Sequence, residues 1–389
     1  MTGQPGDGSR VNWAGLAGVT AALAAFGAAQ GLSYPLFTIL MQRQGISSSL
    51  IGLSAAMMPL GLILSASLVP AAVGRFGARN LAVGCAISGG LCLLAVGALQ
   101  NEFAWFVIRF LIGFVINPLY VLGEVWALSL APPAQRGRVM GVFNAVMGAG
   151  YALGPLALTV VGADGWPPFL VGVAAFAACA AVLAMVSSRL TGFEKDGELS
   201  GGLPFFVRAA PALLLAVLVA AAAQQSTYSL MPVFGASFGL AEATLAALIT
   251  ALSFGNIVLQ VPLGLAAEKA GARFMIVFCA LATACCALLL GPLIHTLFVW
   301  PLLVVMGGVG YGVYTMALVE LGNRFKGSAL VAGNAAFALL WGVGGIVGPP
   351  SAGGLMQAIG PYGLPAVIAG LTGFLAAFAL YRSARRRWT

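Results

Sequence analysis

Two charged side chains interrupt an apolar stretch in the first half of the chain, and their spacing indicates a shared role. Arg109 and Glu124 lie in the run FAWFVIRFLIGFVINPLYVLGEVWAL, which is otherwise apolar enough to cross a membrane. At about 100° of rotation per helical residue, both fall on one face with Gly113, Asn117 and Tyr120, within an arc of roughly 80°. Because charge in lipid is costly, we expect this face to line a cavity or to contact another helix.

A second set of polar side chains follows helical spacing within apolar runs. Gln30 and Tyr34 are four residues apart, and Gln224 and Tyr228 repeat that spacing later in the chain. Such side chains either bind a polar solute or form hydrogen bonds between helices. We interpret the two pairs as parts of a central pocket. The predicted substrate-binding residues are Gln30, Tyr34, Arg109, Asn117, Asn144, Gln224, Gln225, Tyr228, Asn256, Asn334 and Trp341.

The composition shows which elements must hold these side chains. The chain has 389 residues, of which 61% are hydrophobic and only 7% charged, whereas soluble proteins carry about 25% charged residues. An all-α polytopic membrane protein in a lipid bilayer is therefore predicted. At about 20 residues per crossing, we place twelve transmembrane helices, at 13–41, 48–72, 80–99, 103–130, 138–162, 167–188, 209–235, 241–266, 273–294, 297–322, 328–357 and 361–381.

The basic residues predict the orientation in the membrane. Sixteen of the 18 Lys and Arg residues fall in termini and loops on one side, Arg43 alone falls on the other, and Arg109 lies within a span. Since positively charged loops stay in the cytoplasm, both termini are predicted to be cytoplasmic in a bacterial inner membrane. The net charge of +8 reflects this topology, so no nucleic-acid partner is expected.

The two halves of the chain repeat each other. Gln30 and Gln224 are 194 residues apart, and so are the Gly-Pro pairs that begin at Gly154 and Gly348. Two six-span halves of equal topology must be related by an axis along the membrane normal. We predict an N-terminal half at 1–189, a cytoplasmic linker at 190–208 and a C-terminal half at 209–389.

The repeat bears on the two carboxylates predicted within spans, Glu124 and Glu320. They are either proton carriers that couple transport to a proton gradient, or anchors of an inner gate that pair with loop cations. A structural network should occur in both halves, and this favours the gate. The predicted gating or proton-coupling residues are Glu124, Glu320, Arg75, Arg79, Arg136, Glu268, Lys269, Arg273 and Arg324.

Short motifs along essentially the whole chain resemble those of the major facilitator superfamily. The loop signature G-x-x-x-D-R-x-G-R-R is similar to residues 264–273, with Glu268 at its acidic position, and to residues 70–79, where Gly74 replaces the acidic residue. Arg109 and Gly113 match the R-x-x-x-G pattern of span four. The resemblance implies the fold of that family and a secondary transporter that works by alternating access.

Further resemblances are more local. Residues 150–155 match the antiporter pattern G-x-x-x-G-P of span five, whereas residues 120–125 and the Gln224-Gln225 pair resemble sugar porters. Glu124-Val-Trp126 and the stretch from Asn334 to Pro349 resemble the YcaD-like branch of bacterial facilitators. The antiporter pattern favours efflux, and the sugar-porter pieces favour uptake or facilitation.

These observations predict a monomeric transporter of a small organic solute, neutral or anionic, with protons as a candidate coupling ion and efflux by antiport as the favoured direction. Two alternatives stay open: an uptake symporter or facilitator for a sugar-like or anionic metabolite, and a transporter-like receptor or assembly partner. An enzyme is not expected, because the sequence has no phosphate-binding G-x-x-x-x-G-K-[ST] motif and a single histidine, His295. No metal-ligand spacing is present either, so no cofactor is expected.

Overall fold

The computed structural model describes residues 13–66, 68–130, 136–186, 203–325 and 328–385, and these residues are helical almost throughout, with no strand among them. The helices are α1 (Trp13–Arg43), α2 (Ser48–Ala66), α3 (Val69–Phe76), α4 (Ala78–Ala98), α5 (Glu102–Leu130), α6 (Arg136–Val161), α7 (Pro167–Val186), α8 (Leu203–Ala209), α9 (Pro211–Ala236), α10 (Glu242–Val258), α11 (Gln260–Ala270), α12 (Ala272–Leu293), α13 (Val299–Arg324), α14 (Ser328–Ile359) and α15 (Gly363–Arg385).

The predicted spans coincide with these helices to within a few residues. Among the described residues, ten helices are long and apolar enough to cross a membrane, and the bent pair α10–α11 makes an eleventh. The helix α6, whose described apolar segment Ala145–Val161 is shorter, occupies the remaining predicted span. Helices are the expected form because a backbone in lipid must satisfy its hydrogen bonds within the segment.

Two spans that the sequence predicts as continuous are broken. Span two divides between Ala66 and Val69, and span eight bends by 43° at Leu259. A proline follows each break within one turn, at Pro70 and Pro262. Proline lacks a backbone N–H and its ring clashes with the preceding turn, so a helix bends or stops just before it. The breaks lie at nearly equivalent positions of the two halves.

The helices pack as two six-span halves. In the N-terminal half, α1 packs on α6 and α7, and α2 packs on α5; in the C-terminal half, α9 packs on α14 and α15, and α10 packs on α13. The halves meet through α2 with α14, α6 with α10 and α1 with α9. This interface leaves α5 and α13 on either side of the molecular centre.

The predicted linker contains a short helix. Its N-terminal part, together with the proposed boundary at 189/190, lies outside the described residues, but α8 occupies its C-terminal end and packs on α9 and α14. Phe206 on α8 is fully buried, and its ring centroid lies 5.2 Å from that of Phe325. The C-terminal part of the linker is therefore anchored to the C-terminal half by aromatic packing.

Candidate functional site

The candidate site is the space between α5 and α13 at the centre of the molecule. These helices hold equivalent places in the two halves and share no packed interface. Tyr120 on α5 is 39% exposed, and it interacts electrostatically with Tyr311 and Tyr314 on α13. The gap is therefore a cavity whose walls come from both halves, as expected for solute sites in transporters built from two repeats.

Tyrosines line this cavity. The chain has eight tyrosines. Six of them line the cavity, and the other two are Tyr362 and Tyr381. Ring centroids are 6.3 Å apart for Tyr34 and Tyr151, 5.7 Å for Tyr151 and Tyr228, and 5.4 Å for Tyr311 and Tyr314. Tyr228 and Tyr311 also interact electrostatically, and Tyr120 completes the series from α5. The cavity wall is thus aromatic with phenolic hydroxyl groups, a surface suited to an organic solute.

One part of the wall is a compact aromatic cluster, formed by Tyr311, Tyr314 and Trp341 on α13 and α14. The Trp341 ring lies 4.8 Å from the ring of Tyr314 and 5.9 Å from that of Tyr311, centroid to centroid. Glu124 on α5 interacts electrostatically with Tyr120, Tyr311 and Tyr314. The carboxylate therefore lies near the aromatic cluster of the opposite half.

The predicted residues of α9 divide between two roles. Gln224 and Tyr228 line a cleft that also includes Tyr311, and the Tyr228 hydroxyl lies 3.2 Å from the Ser253 hydroxyl. Gln225 points elsewhere: its Nε2 donates to the backbone carbonyl of Trp341 at 3.3 Å. The residues that line this cleft all belong to the C-terminal half. Tyr228 also contacts the other half through the ring of Tyr151, and Gln225 joins α9 to α14.

The predicted residues of α1 and α5 are more deeply buried. Arg109 is 0% exposed, donates from Nη1 to the Ser54 hydroxyl at 3.0 Å, and lies 4.7 Å from the centroid of the Phe37 ring. Because α1 and α5 run antiparallel, Gln30 and Asn117 lie at one depth, about two turns from the Phe37–Arg109 contact. Gln30 Oε1 and Asn117 Nδ2 are buried without a hydrogen-bond partner among the described residues.

Two of the three remaining predicted pocket residues, Asn256 and Asn334, are not brought together with the others. Asn256 accepts a hydrogen bond from Gln260, whose Nε2 also donates to the Gly308 carbonyl, so it belongs to a network within the C-terminal half. Asn334 is exposed on α14. The side chain of Asn144 lies outside the described residues.

On the side where α1 ends, polar contacts close the cavity. Arg43 forms an ion pair through two nitrogens with Glu242 of the opposite half, and a second pair with Asp164 at 2.9 Å. We call these three residues the Arg43 clamp. Nearby, the Thr38 hydroxyl donates to the Ser229 carbonyl at 2.7 Å, and the Ser48 hydroxyl donates to the Gly353 carbonyl at 3.0 Å. All three contacts with Glu242, Ser229 and Gly353 join the two halves.

On the opposite side, the described ion pairs stay within one half. Glu320 is buried, and its Oε1 accepts from Arg273 Nε at 2.5 Å and from Arg324 Nε at 2.6 Å. Arg79 donates to the Ala184 carbonyl at 3.0 Å rather than to Glu124. The gating role of these residues stays a prediction, since none of these contacts crosses between the halves.

Three further residues of the predicted gating set are exposed on the same side. Arg75 lies 5.5 Å from the centroid of the Phe76 ring. Glu268 and Lys269 form no ion pair with a described residue. The side chain of Arg136 lies outside the described residues.

The comparison with known proteins agrees with this architecture. The family profile described as Major Facilitator Superfamily matches residues 19–241 and 213–389. The chain belongs to the major facilitator superfamily. As a member, it is a membrane transporter of small molecules and not an enzyme, so the predicted fold and family are confirmed.

Relatives of this transporter include two curated bacterial proteins. The chain is 24% identical over 352 residues to the uncharacterized MFS-type transporter YfkF of Bacillus subtilis. The aligned region covers 85% of this chain and 86% of YfkF. It is also 24% identical over 270 residues to the uncharacterized MFS-type transporter YcaD of Salmonella typhimurium. That aligned region covers 68% of each chain.

Solved structures show the same fold. A mutant of the nucleoside transporter NupG superposes with a TM-score of 0.78 at 12% identity, over 94% of this chain and 99% of NupG. A bacterial homologue of the human lysosomal transporter Spinster, in an inward-facing and occupied conformation, superposes with a TM-score of 0.75 at 13% identity, over 97% and 98% of the two chains. At these identities the likeness establishes the fold alone.

Several residues of the site were not in the predicted sets. Tyr120, Tyr151, Tyr311 and Tyr314 line the cavity, and the Arg43 clamp closes it. Tyr120 shares the helical face of Arg109 and Glu124, so periodicity carried a signal for it. For the clamp, the sequence signal was that Arg43 is the one Lys or Arg predicted on its side of the membrane, where acidic residues such as Asp164 and Glu242 also lie.

Proposed function

We propose that this transporter exports a small organic solute across the bacterial inner membrane in exchange for protons, by alternating access between its two halves. The observation that carries the proposal is a central cavity that contains the carboxylate of Glu124 and is closed on the Arg43 side by contacts between the halves. The predicted orientation, in which the more basic side faces the cytoplasm, makes this conformation inward-facing. A solute would then load from the cytoplasm.

Proton exchange is assigned to Glu124 rather than to Glu320. Glu320 already forms ion pairs with two arginines, Arg273 and Arg324, within the C-terminal half. Glu124 is half-buried in the cavity among phenol side chains, where the gain or loss of a proton changes what the cavity can bind. The antiporter pattern at residues 150–155 also supports exchange.

The test is transport by purified protein in proteoliposomes. A thermal-shift screen of solutes would identify a ligand, and its flux would then be measured with and without a pH gradient. We expect flux to be accelerated by the gradient, and Glu124→Gln to abolish that acceleration. Glu102→Gln, on the same helix but at the Arg43 side, is the matched control and should transport normally.

Two outcomes would contradict the proposal. Flux that ignores the pH gradient in the unmodified protein would identify a facilitator, as the sugar-porter-like residues suggested. Binding of a solute without any flux would identify a receptor. An anionic solute is disfavoured by the geometry, because the guanidinium of Arg109 is enclosed within the N-terminal half instead of reaching the cavity surface.

A further inference from the structure

The aromatic cluster and the carboxylate that faces it have a defined composition. Tyr311, Tyr314 and Trp341 supply three rings whose centroids are all within 5.9 Å of one another, and their edges and faces are inclined at 51° to 75°. Rings inclined in this way do not stack flat, so their faces point in different directions. Glu124 and Tyr120 approach from the opposite half of the protein.

We propose that Glu124, Tyr120, Tyr311, Tyr314 and Trp341 bind the ammonium group of an organic cation. The inference rests on the proposed transport function, and it names the substrate class of the same cavity. Aromatic faces attract a cation through the negative charge density of the ring, and several rings around one ammonium group are the known form of such recognition. A carboxylate on the open side supplies the opposite charge.

The distribution of charge around the cluster supports a cation over a neutral or anionic ligand. Arg109, the cation within the same helix, is 15 residues from Glu124, about 22 Å along the helix axis, and is enclosed against Phe37 and Ser54. Arg324 is engaged by Glu320. No described basic side chain forms an ion pair with Glu124, so a bound ammonium group would not compete with one of them.

The adjoining cleft indicates what the rest of the ligand carries. Tyr311 belongs both to the aromatic cluster and to the cleft lined by Gln224 and Tyr228. These side chains offer an amide and phenol hydroxyl groups, which bind uncharged polar groups. The cleft has room for little more than one water molecule, so the geometry fits an ammonium head at Glu124 and, at most, one small polar group such as a hydroxyl in the cleft.

The test uses three probes of nearly the same shape and different charge: choline, its uncharged carbon analogue 3,3-dimethyl-1-butanol, and the anion 3,3-dimethylbutanoate. Binding of labelled choline to the purified full-length protein is measured by equilibrium dialysis, and the other two compounds are added as competitors. We expect saturable choline binding, with neither analogue competing at tenfold higher concentration.

Substitutions then identify the groups responsible. Glu124→Gln and Tyr311→Leu should each weaken choline binding by about tenfold or more, whereas Tyr311→Phe, which keeps the ring face, should retain it. Glu102→Gln controls for the loss of a carboxylate elsewhere on α5. Thermal unfolding of each variant establishes that it is folded, and retention by Tyr311→Phe excludes a general effect of substitution at that position.

Three results would overturn the proposal: no saturable choline binding to the unmodified protein, equal competition by the uncharged or anionic analogue, or full binding by Glu124→Gln. Each is distinct from failure of the proposed function, which is judged by flux and its response to a pH gradient. A protein that exchanges protons for an uncharged solute would pass the transport test and fail this one.

Discussion

Arg109 holds a charge in a place that solvent does not reach. Its Nη1 has a partner in Ser54, but Nε and Nη2 are buried without a hydrogen-bond partner among the described residues. Burying a guanidinium with unsatisfied donors is unfavourable, and the contact with the Phe37 ring offsets only part of that cost. We infer that Arg109 lowers the stability of the fold and is present for another reason.

This inference predicts different outcomes for two substitutions at Arg109. Arg109→Met keeps most of the side-chain volume and removes the unsatisfied donors, so the thermal unfolding midpoint should stay unchanged or rise. Arg109→Ala leaves a cavity beside Phe37 and should destabilise the protein by roughly 2–4 kcal/mol. Unfolding of the purified variants in detergent measures both. If Arg109→Met unfolds as early as Arg109→Ala, then the guanidinium stabilises the fold.

For single residues, sequence periodicity predicted which side chains share a helix face, but not what they face. The stripe from Arg109 to Glu124 is confirmed as a face, yet its two ends have different surroundings: Arg109 packs inside one half and Glu124 faces the other half across the cavity. The positions of neighbouring helices decide this, and a periodic pattern within one helix carries no information about them.

At the scale of helices, the repeat extends to the contacts between backbones. A Cβ atom at Gly113 would collide with the carbonyl of Met58, and one at Gly307 would collide with that of Leu252. Both the glycines and their partners are 194 residues apart. A second pair of contacts follows the same 194-residue offset. Gly150 on α6 approaches the Ala24 carbonyl on α1, and Gly344 on α14 approaches the Leu218 carbonyl on α9. Small residues thus set the close helix approach in each half.

The close contacts predict which glycines tolerate a methyl group. Gly113→Ala and Gly307→Ala must push a neighbouring backbone away, and each should destabilise the protein by about 1–3 kcal/mol. Gly84→Ala is the matched control, since its Cβ would enter open space and alanine favours helix more than glycine does. The thermal unfolding midpoint measures all three. Equal midpoints would show that the helix pairs can separate at no cost.

Hydropathy was sufficient to predict where the long apolar helices lie, because about 20 apolar residues are needed for each crossing of the membrane. It did not predict the breaks at Ala66 and Leu259 or the helix α8. Proline is tolerated inside many membrane helices, as Pro118 is within α5. Its presence at Pro70 and Pro262 therefore did not distinguish a break from a continuous helix.

At the scale of the whole molecule, the charges depart from the symmetry of the repeat. Arg43 has Ser237 at the equivalent position 194 residues later, and Glu242 has Ser48. The Arg43 clamp consequently occurs once, and the repeat-related place carries the hydrogen bond from Ser48 to Gly353. Sequence alone identified Arg43 only as an exception to the charge distribution, because its partners come from a distant loop and from the other half.

The asymmetry predicts that one ion pair controls opening on the Arg43 side. Glu242→Gln breaks the pair between the halves, whereas Asp164→Asn removes an equal charge from a pair within the N-terminal half. Both pairs are partly exposed, and such a pair contributes about 0.2–1 kcal/mol. Glu242→Gln should therefore shift the conformational equilibrium towards opening on this side by up to about fivefold, and Asp164→Asn should change it little.

Alkylation of a single cysteine measures this shift. Thr38 is fully buried at the closed interface, so Thr38→Cys, in a chain whose six native cysteines are replaced, should react with a membrane-impermeant maleimide only when this side opens. On intact cells, the rate should rise with Glu242→Gln and not with Asp164→Asn. Equal rates in both variants would mean that the hydrogen bond from Ser48 to Gly353 and backbone packing keep the halves together, because neither substitution changes those contacts.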